Sequence, residues 1–231
     1  MKNGGLTILH VTDLHFYKPF YLWLLTQIGN FDVLCITGDL IGEISPLEKI
    51  GRSEQVNWVS SWLEQLTKPV FICSGNHDVD SDIDLLADLE DLIGEVEFSS
   101  SNDNDRDFWL NKINNPLVFT DSSIHSIGNC IFGCVPYYSS GLDRYHGCDV
   151  LLHHDPPYNS KTSIQAGENF GSYELYQALM ADTVLPSYLL CGHVHRPLAN
   201  KDKIKNSFVS NPGASFVGNI PNHKYIETQK G

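Results

Sequence analysis

The stretch Gly75-Asn76-His77-Asp78 sets an amide, an imidazole and a carboxylate side by side, directly after the apolar run Val70-Phe71-Ile72-Cys73-Ser74. An Asn carbonyl oxygen can ligate a metal, the next imidazole can donate a proton, and the following carboxylate can orient that imidazole. Gly, Asn and Asp are also the commonest turn residues, so a single stretch of this kind is equally a plain polar turn. Recurrence decides between the two. The runs Leu6 to Thr12, Asp32 to Thr37 and Ser187 to Cys191 discharge into Asp13-Leu14-His15, Gly38-Asp39 and Gly192-His193-Val194-His195, and Asp149 to Leu152 leads into His153-His154-Asp155-Pro156-Pro157. Turn statistics do not produce five runs ending alike in His, Asp or Asn. Imidazole, carboxylate and amide oxygen together suit manganese, iron or zinc, and the absence of Cys from these run ends disfavours a structural zinc.

Such side chains have to be carried to one place. Each run is rich in β-branched or aromatic residues and reads as a buried strand. Parallel strands align their carboxyl ends, and ligands of open α/β sheets sit in the crevice there. The segments between the strands read as helices. Phe20 to Ile28 is apolar enough to be buried, and Glu54 to Leu66 places Val56, Val59, Leu63 and Leu66 on one face before Pro69. Asp82 to Ile93 repeats the pattern, with Ile83, Leu86, Leu89 and Ile93 inward. Its Asp84, Asp88 and Asp91 form a solvated face that lacks the loop spacing and Gly of a calcium-binding EF-hand. Strand and helix in alternation predict βαβ units with right-handed crossovers.

Residues 99–107 are a polar loop. Leu117 to Phe119, Ser123 to Ile127 and Cys130 to Val135 then read as short strands that open an antiparallel second half. Tyr158 to Gly171 is a long loop of the kind that usually covers or binds a ligand. A helix follows from Gly171-Ser172 to about Ala181. Asn211-Pro212-Gly213, after the strand Phe208 to Ser210, reads as ordinary turn chemistry.

The five blocks Asp-x-His, Gly-Asp, Gly-Asn-His-Asp, His-x-Pro and Gly-His-x-His, in this order over residues 6 to 215, resemble the calcineurin-like metallophosphoesterases. The resemblance implies an α/β fold, a four-layer α/β/β/α sandwich of two mixed sheets flanked by helices. It assigns Asp13, His15 and His195 to one metal, Asn76, His193 and the His of His-x-Pro to a second, and Asp39 to the bridge between them. The family's ligand lies two residues before Pro, which selects His154 rather than His153. Two metals about 3.5–4 Å apart clamp the attacking and leaving oxygens of an in-line displacement and lower the pKa of a shared water, the nucleophile. His77 becomes the group that protonates the leaving oxygen or stabilises charge on the phosphoryl group, with Asp78 holding its ring. The cofactors implied are two divalent or trivalent transition metal ions, manganese, iron or zinc. The substrate implied is a small phosphodiester of nucleotide type, a cyclic nucleotide, or a phosphomonoester. Protein phosphatases of the superfamily extend the second block with Asp and Arg-Gly; here it reads Gly38-Asp39-Leu40-Ile41-Gly42-Glu43, which argues against that activity. The rival readings are a metal-binding scaffold of the same fold without turnover, and a nuclease.

Composition narrows the rest. At 231 residues with 42% hydrophobic content, the chain reads as one globular domain over 1–231. No apolar run approaches the ~20 residues of a membrane helix, and the start Met1-Lys2-Asn3-Gly4-Gly5 lacks the features of a secretory signal. The six cysteines are scattered, and Cys130-x3-Cys134 has no second pair to complete a zinc site, so a reducing cytoplasm is expected. A formal charge of −13 disfavours polymeric nucleic acid as a partner, since Lys201, Lys203 and Lys205 are the densest basic run. A chain this acidic needs a compact positive centre to handle a phosphoester, and bound metal ions would supply it.

Overall fold

The computed structural model describes residues 5–42, 50–79, 109–214 and 217–228. Thr7–Val11 (β1), Val33–Thr37 (β2) and Val70–Cys73 (β3) are apolar on both faces, so they can only be interior strands covered on two sides. They run parallel, with Leu9 beside Leu34 and Leu34 beside Val70. Val118–Phe119 (β4) and His223–Glu227 (β13) flank them, giving the order β13-β1-β2-β3-β4. The second sheet holds Ile124–Ile127 (β5), Cys130–Cys134 (β6), Val150–Leu152 (β7), Tyr188–Leu190 (β10), Lys201–Ile204 (β11) and Ser207–Ser210 (β12). Its order is β11-β12-β10-β7-β6-β5, parallel in the middle and antiparallel at both edges.

Alternation along the strands decides which layer each side chain joins. Ile8, Val33, Cys35, Phe71 and Cys73 meet Phe132, Cys134, Val150, Leu152 and Leu190 between the sheets, with the rings of Phe71 and Phe132 stacked at 4.3 Å. On the outer face of the first sheet, Leu9, Leu34, Ile36 and Ile72 pack on Phe20 and Leu24 of Lys18–Thr26 (α1) and on Val59, Trp62 and Leu63 of Arg52–Glu64 (α2). On the outer face of the second, Leu151, Leu189 and Val209 pack on Leu175 and Leu179 of Tyr173–Met180 (α3), whose N-cap Ser172 accepts the amide of Leu175. The result is the expected four-layer sandwich of two mixed sheets between helices. Truncating a fully buried Phe such as Phe71 costs ~3–5 kcal/mol, a large share of a domain's ~5–15 kcal/mol. The inter-sheet core therefore holds the two halves of the site in register.

Several boundaries and one pairing differ from the sequence reading. Helix α1 starts at Lys18, because Pro19 is tolerated in a first turn where its missing N–H has no partner to lose. Helix α2 begins two residues before Glu54. The strand at 117–119 was expected to be antiparallel, but β4 pairs parallel to β3, through Val70 and Val118. Parallel neighbours need a crossover of a dozen or more residues, and the chain between β3 and β4 provides it. The antiparallel hairpin is confined to β5 and β6. The loop 158–171 contains a hairpin of its own, Ile164–Gln165 (β8) with Glu168–Asn169 (β9). The helix expected over 82–93 and the polar loop 99–107 lie outside the described residues. All six cysteines are free thiols, and Cys35, Cys73 and Cys134 serve as small apolar residues between the sheets. Among the described residues no helix is long and apolar enough to cross a membrane.

Candidate metal centre

The carboxyl ends of β1, β2 and β3 meet those of β7 and β10 along one edge of the sandwich. The chain turns there through left-handed backbone at Asp13, His15, Phe16, Asp39 and His193, with φ of 51°, 41°, 55°, 53° and 64°. Non-glycine residues seldom adopt this region, at ~1–3 kcal/mol each, and such strain collects at functional sites. Close approach is enabled by two glycines. A Cβ on Gly38 would collide with Nδ1 of His154, and one on Gly192 with Oγ1 of Thr12.

Asp13, His15, Asp39 and His195 form one set of donor atoms, and His154, Asp155 and His193 form another. In the first, Nε2 of His15 lies 3.1 Å from Nε2 of His195 and 3.9 Å from Oδ1 of Asp13, and Nε2 of His195 lies 3.4 Å from the same Oδ1. In the second, Oδ1 of Asn76 lies 3.1 Å from Nε2 of His154 and 3.2 Å from Nδ1 of His193. Oδ2 of Asp39 joins the two, 3.7 Å from Nε2 of His15 and 3.5 Å from Nε2 of His154. Donors held about 2.1 Å from one ion at angles of 90° to 120° are about 3.0 to 3.6 Å apart. The separations match that spacing, with the Asp13–His15 and Asp39–His15 pairs slightly wider.

The proton inventory points the same way. Nδ1–H of His154 donates to the Thr37 carbonyl at 2.8 Å, so Nε2 alone faces the acceptors Oδ1 of Asn76 and Oδ2 of Asp39 and would offer its lone pair to a metal that displaces its proton. Among the described residues, Oδ1 of Asp13 and Oδ1 of Asp155 are buried with no hydrogen-bond partner. Positive charge is what these atoms lack. Burial opposes a charged His154, yet Asp39 and its neighbours outweigh burial and push that imidazole up to about 10. Burial likewise works against ionised Asp39, and His154 above all overrides it to hold the carboxyl below the usual range. The Asp13 carboxylate beside it raises His195, whereas burial lowers His15 and His193. The residues present fit two transition metal ions: Asp13, His15 and His195 could hold one, Asn76, His154 and His193 the other, with Asp39 shared. Asp155, 3.8 Å from Nδ1 of His193, is a further candidate for the second set that the sequence reading passed over.

His153 lies beside this edge but engages elsewhere. Its Nδ1–H donates to the Asp155 carbonyl at 2.8 Å, and burial keeps its pKa low. Replacing His154 by Ala is expected to remove one metal equivalent, and His153→Ala to leave both with a milder loss; elemental analysis of the two variants decides, and the reverse order would refute the assignment.

Asp78 does not hold the ring of His77. Its Oδ1 accepts the amides of Leu40 and Ile41 at 2.9 and 3.2 Å, and its Oδ2 accepts that of Gly75 at 2.9 Å. Adjacent residues at a strand end point apart, and this carboxylate turns inward to tie the ends of β2 and β3 together. Burial, with Asp39 nearby, lifts its pKa to about 7 against the pull of those amides. His77 is positioned through its backbone instead. Its N–H donates to Oδ1 of Asp39 at 2.9 Å, and its carbonyl accepts Nη1 of Arg52 at 2.8 Å. The Arg52 guanidinium also reaches the carbonyls of Asp78 and Val79, so one side chain clamps the whole turn. Asp78→Ala strands three buried amides, each worth ~1–3 kcal/mol. A denaturant titration should therefore show at least ~3 kcal/mol lost, with Asp78→Asn losing less. A ring-orienting Asp78 would give the opposite outcome, stability intact and rate gone.

The roles of three more residues escaped the sequence reading. Asn211, taken as part of a plain turn, is fully buried, and its Nδ2 donates to the carbonyls of Gly192 and Val194 on either side of His193. Arg52 sits in a helix whose first turn gives no hint of its target. His10, buried on β1 between Oγ of Ser210 and Oγ1 of Thr37, is kept neutral by burial at a pKa of about 3 and braces the two sheets.

The fold recurs in solved structures at low identity. One crystal structure matches 97% of this chain and 99% of its own at a TM-score of 0.62 and 12% identity. The protein TT1561 of Thermus thermophilus matches 90% of this chain and 89% of its own, at 0.56 and 12%. Purple acid phosphatase PPD1 from yellow lupin (Lupinus luteus) seeds matches 97% of this chain, which spans 46% of that one, at 0.53 and 12%. No curated protein matches the sequence. The family model for calcineurin-like phosphoesterases matches residues 6–197, a span that holds every donor of both sets, and the chain belongs to that family.

Proposed function

We propose that the protein is a phosphoric ester hydrolase that uses two transition metal ions, manganese, iron or zinc, to cleave small phosphodiesters of nucleotide type. The observation that carries this reading is Oδ2 of Asp39, equidistant within 0.2 Å from the ring nitrogens of His15 and His154 in the two donor sets. When bound, a metal pair supplies Lewis acidity at the phosphoryl oxygens and a water acidic enough to attack at neutral pH. The chain's own groups do the rest. Asp39 sets the spacing of the two donor sets and also fixes the amide of His77. The ring of His77 stands edge-on to that of His15, with centroids 5.0 Å apart, at the mouth of the first set. From there it protonates the leaving oxygen as the phosphorus–oxygen bond breaks, and water's oxygen stays on phosphorus. A diester then yields a phosphomonoester and an alcohol.

The free thiols fit a reducing compartment, so the cytoplasm is the proposed location. The net charge of −13 supports a small substrate over a nucleic-acid polymer. The test is metal analysis of the purified protein, followed by assay of a panel of phosphomonoesters and diesters with manganese, iron and zinc in turn. Turnover of diesters with any of the three is expected; protein that binds metal and hydrolyses no phosphoester would refute the proposal.

A further inference from the structure

A cavity of about 990 Å³ opens beside His195 and runs along the segment that follows it. That volume is at the upper end of ligand pockets, ~300–1,000 Å³. The described residues that line it include Lys161, Arg196 and Lys201 and no Asp or Glu, in a chain with 15 basic and 28 acidic residues. A local concentration of positive charge thus adjoins the metal centre. Among the described residues, none of the three cations pairs with a carboxylate. Asp202 is tied to backbone, its two oxygens accepting the amides of Lys161 and Lys203. Those bonds, with the amide of Ala199 donating to the Lys161 carbonyl at 3.1 Å, hold Lys161 against the start of β11 next to Lys201. Arg196 directly follows His195, and Lys201 is six residues along, at most about 20 Å of extended chain. Leu198 and Val217, 67% and 86% exposed, supply apolar surface beside the cations.

We propose that this groove is a subsite for a second phosphate of the substrate, so that the preferred substrate is a phosphoanhydride-linked nucleotide rather than a diester with a single anionic group. The proposal rests on the function proposed above. One phosphorus lies at the metal centre by His195, the next phosphate lies against Arg196, Lys161 and Lys201, and the nucleoside covers Leu198 and Val217. Water's oxygen bonds to the first phosphorus, the bond from that phosphorus to the bridging oxygen breaks, and the second phosphate leaves with the electron pair. Both products are phosphomonoesters, and the proton lost by water goes to solvent. Three cations in a pocket of this size suit a short phosphate chain and are too few for a polymer.

The test uses the metal-loaded protein and the double variant Lys161→Gln/Lys201→Gln, both lysines being exposed and outside either donor set. Pyrophosphate binding is measured by calorimetry, and kcat/KM is measured on diadenosine 5′,5′-diphosphate and on bis(4-nitrophenyl) phosphate. The Kd for pyrophosphate is expected to rise at least tenfold in the variant, and the ratio of the two kcat/KM values to fall at least tenfold. An unchanged Kd overturns the subsite, as does a raised Kd with an unchanged ratio. Wild-type protein that hydrolyses neither ester would instead defeat the function proposed above, and the Kd comparison alone would then decide the groove.

Discussion

Asp39→Asn is expected to empty both metal positions or to reduce turnover by orders of magnitude. The carboxylate does three things at once. Its Oδ2 faces Nε2 of His15 and Nε2 of His154, and its Oδ1 accepts the amide of His77. An amide in its place is neutral, keeps one acceptor, and must present an N–H either to the histidines or to the His77 amide. Both alternatives set donor against donor or remove the shared anion. The surrounding set cannot compensate, because Asp13 is the only other carboxylate among the first four donors. Inductively coupled plasma analysis of the purified variant, with kinetics on a nitrophenyl diester, reads the outcome. Two metals and near-normal turnover would show that Asp39 is not shared.

The second large effect is expected at His77. Its ring is outside both donor sets, so His77→Ala should retain two metals. The loss should fall on rate, by the ~10²–10⁴-fold typical of a positioned general acid. The size should depend on the leaving group: severe for alkyl phosphodiesters, whose alkoxide needs a proton to depart, and slight for nitrophenyl esters, whose phenolate does not. Equal loss on both would mean that His77 acts on the phosphoryl group rather than on the leaving oxygen. Loss of a metal would make it a ligand. The backbone bonds to Asp39 and Arg52 survive this substitution, so the turn should keep its shape and the comparison should isolate the imidazole.

The strands that carry the candidate site were legible because an interior parallel strand has to be apolar on both faces, and its end is marked by an abrupt change to polar residues. β1, β2 and β3 read this way, and their alternation with α1 and α2 gave the βαβ units; the four-layer architecture was implied only by the resemblance to the family. Two of the four edge strands, β11 and β13, were not legible. Lys201-Asp202-Lys203-Ile204 and His223-Lys224-Tyr225-Ile226-Glu227 carry charged and polar residues that shield an exposed edge. They are strands because β12 and β1 offer them partners.

Within the site, the sequence by itself determined which donor types stand at which strand ends, and the order of the blocks was enough to suggest the family. It did not determine what each donor faces. Asp78 follows His77, which invites pairing them, yet the carboxylate turns to the amides of Leu40 and Ile41, some forty residues away in sequence. Arg52 reaches the carbonyls of His77, Asp78 and Val79 from α2, and Asn211 braces the backbone on either side of His193 from the end of β12, the strand beside β10. A hydrogen bond needs its partner at about 3 Å and near linear geometry. Only the folded arrangement of strands and helices brings such partners within that range, so partner choice belongs to the tertiary structure, whereas strand ends and their donor chemistry are local and belong to the sequence.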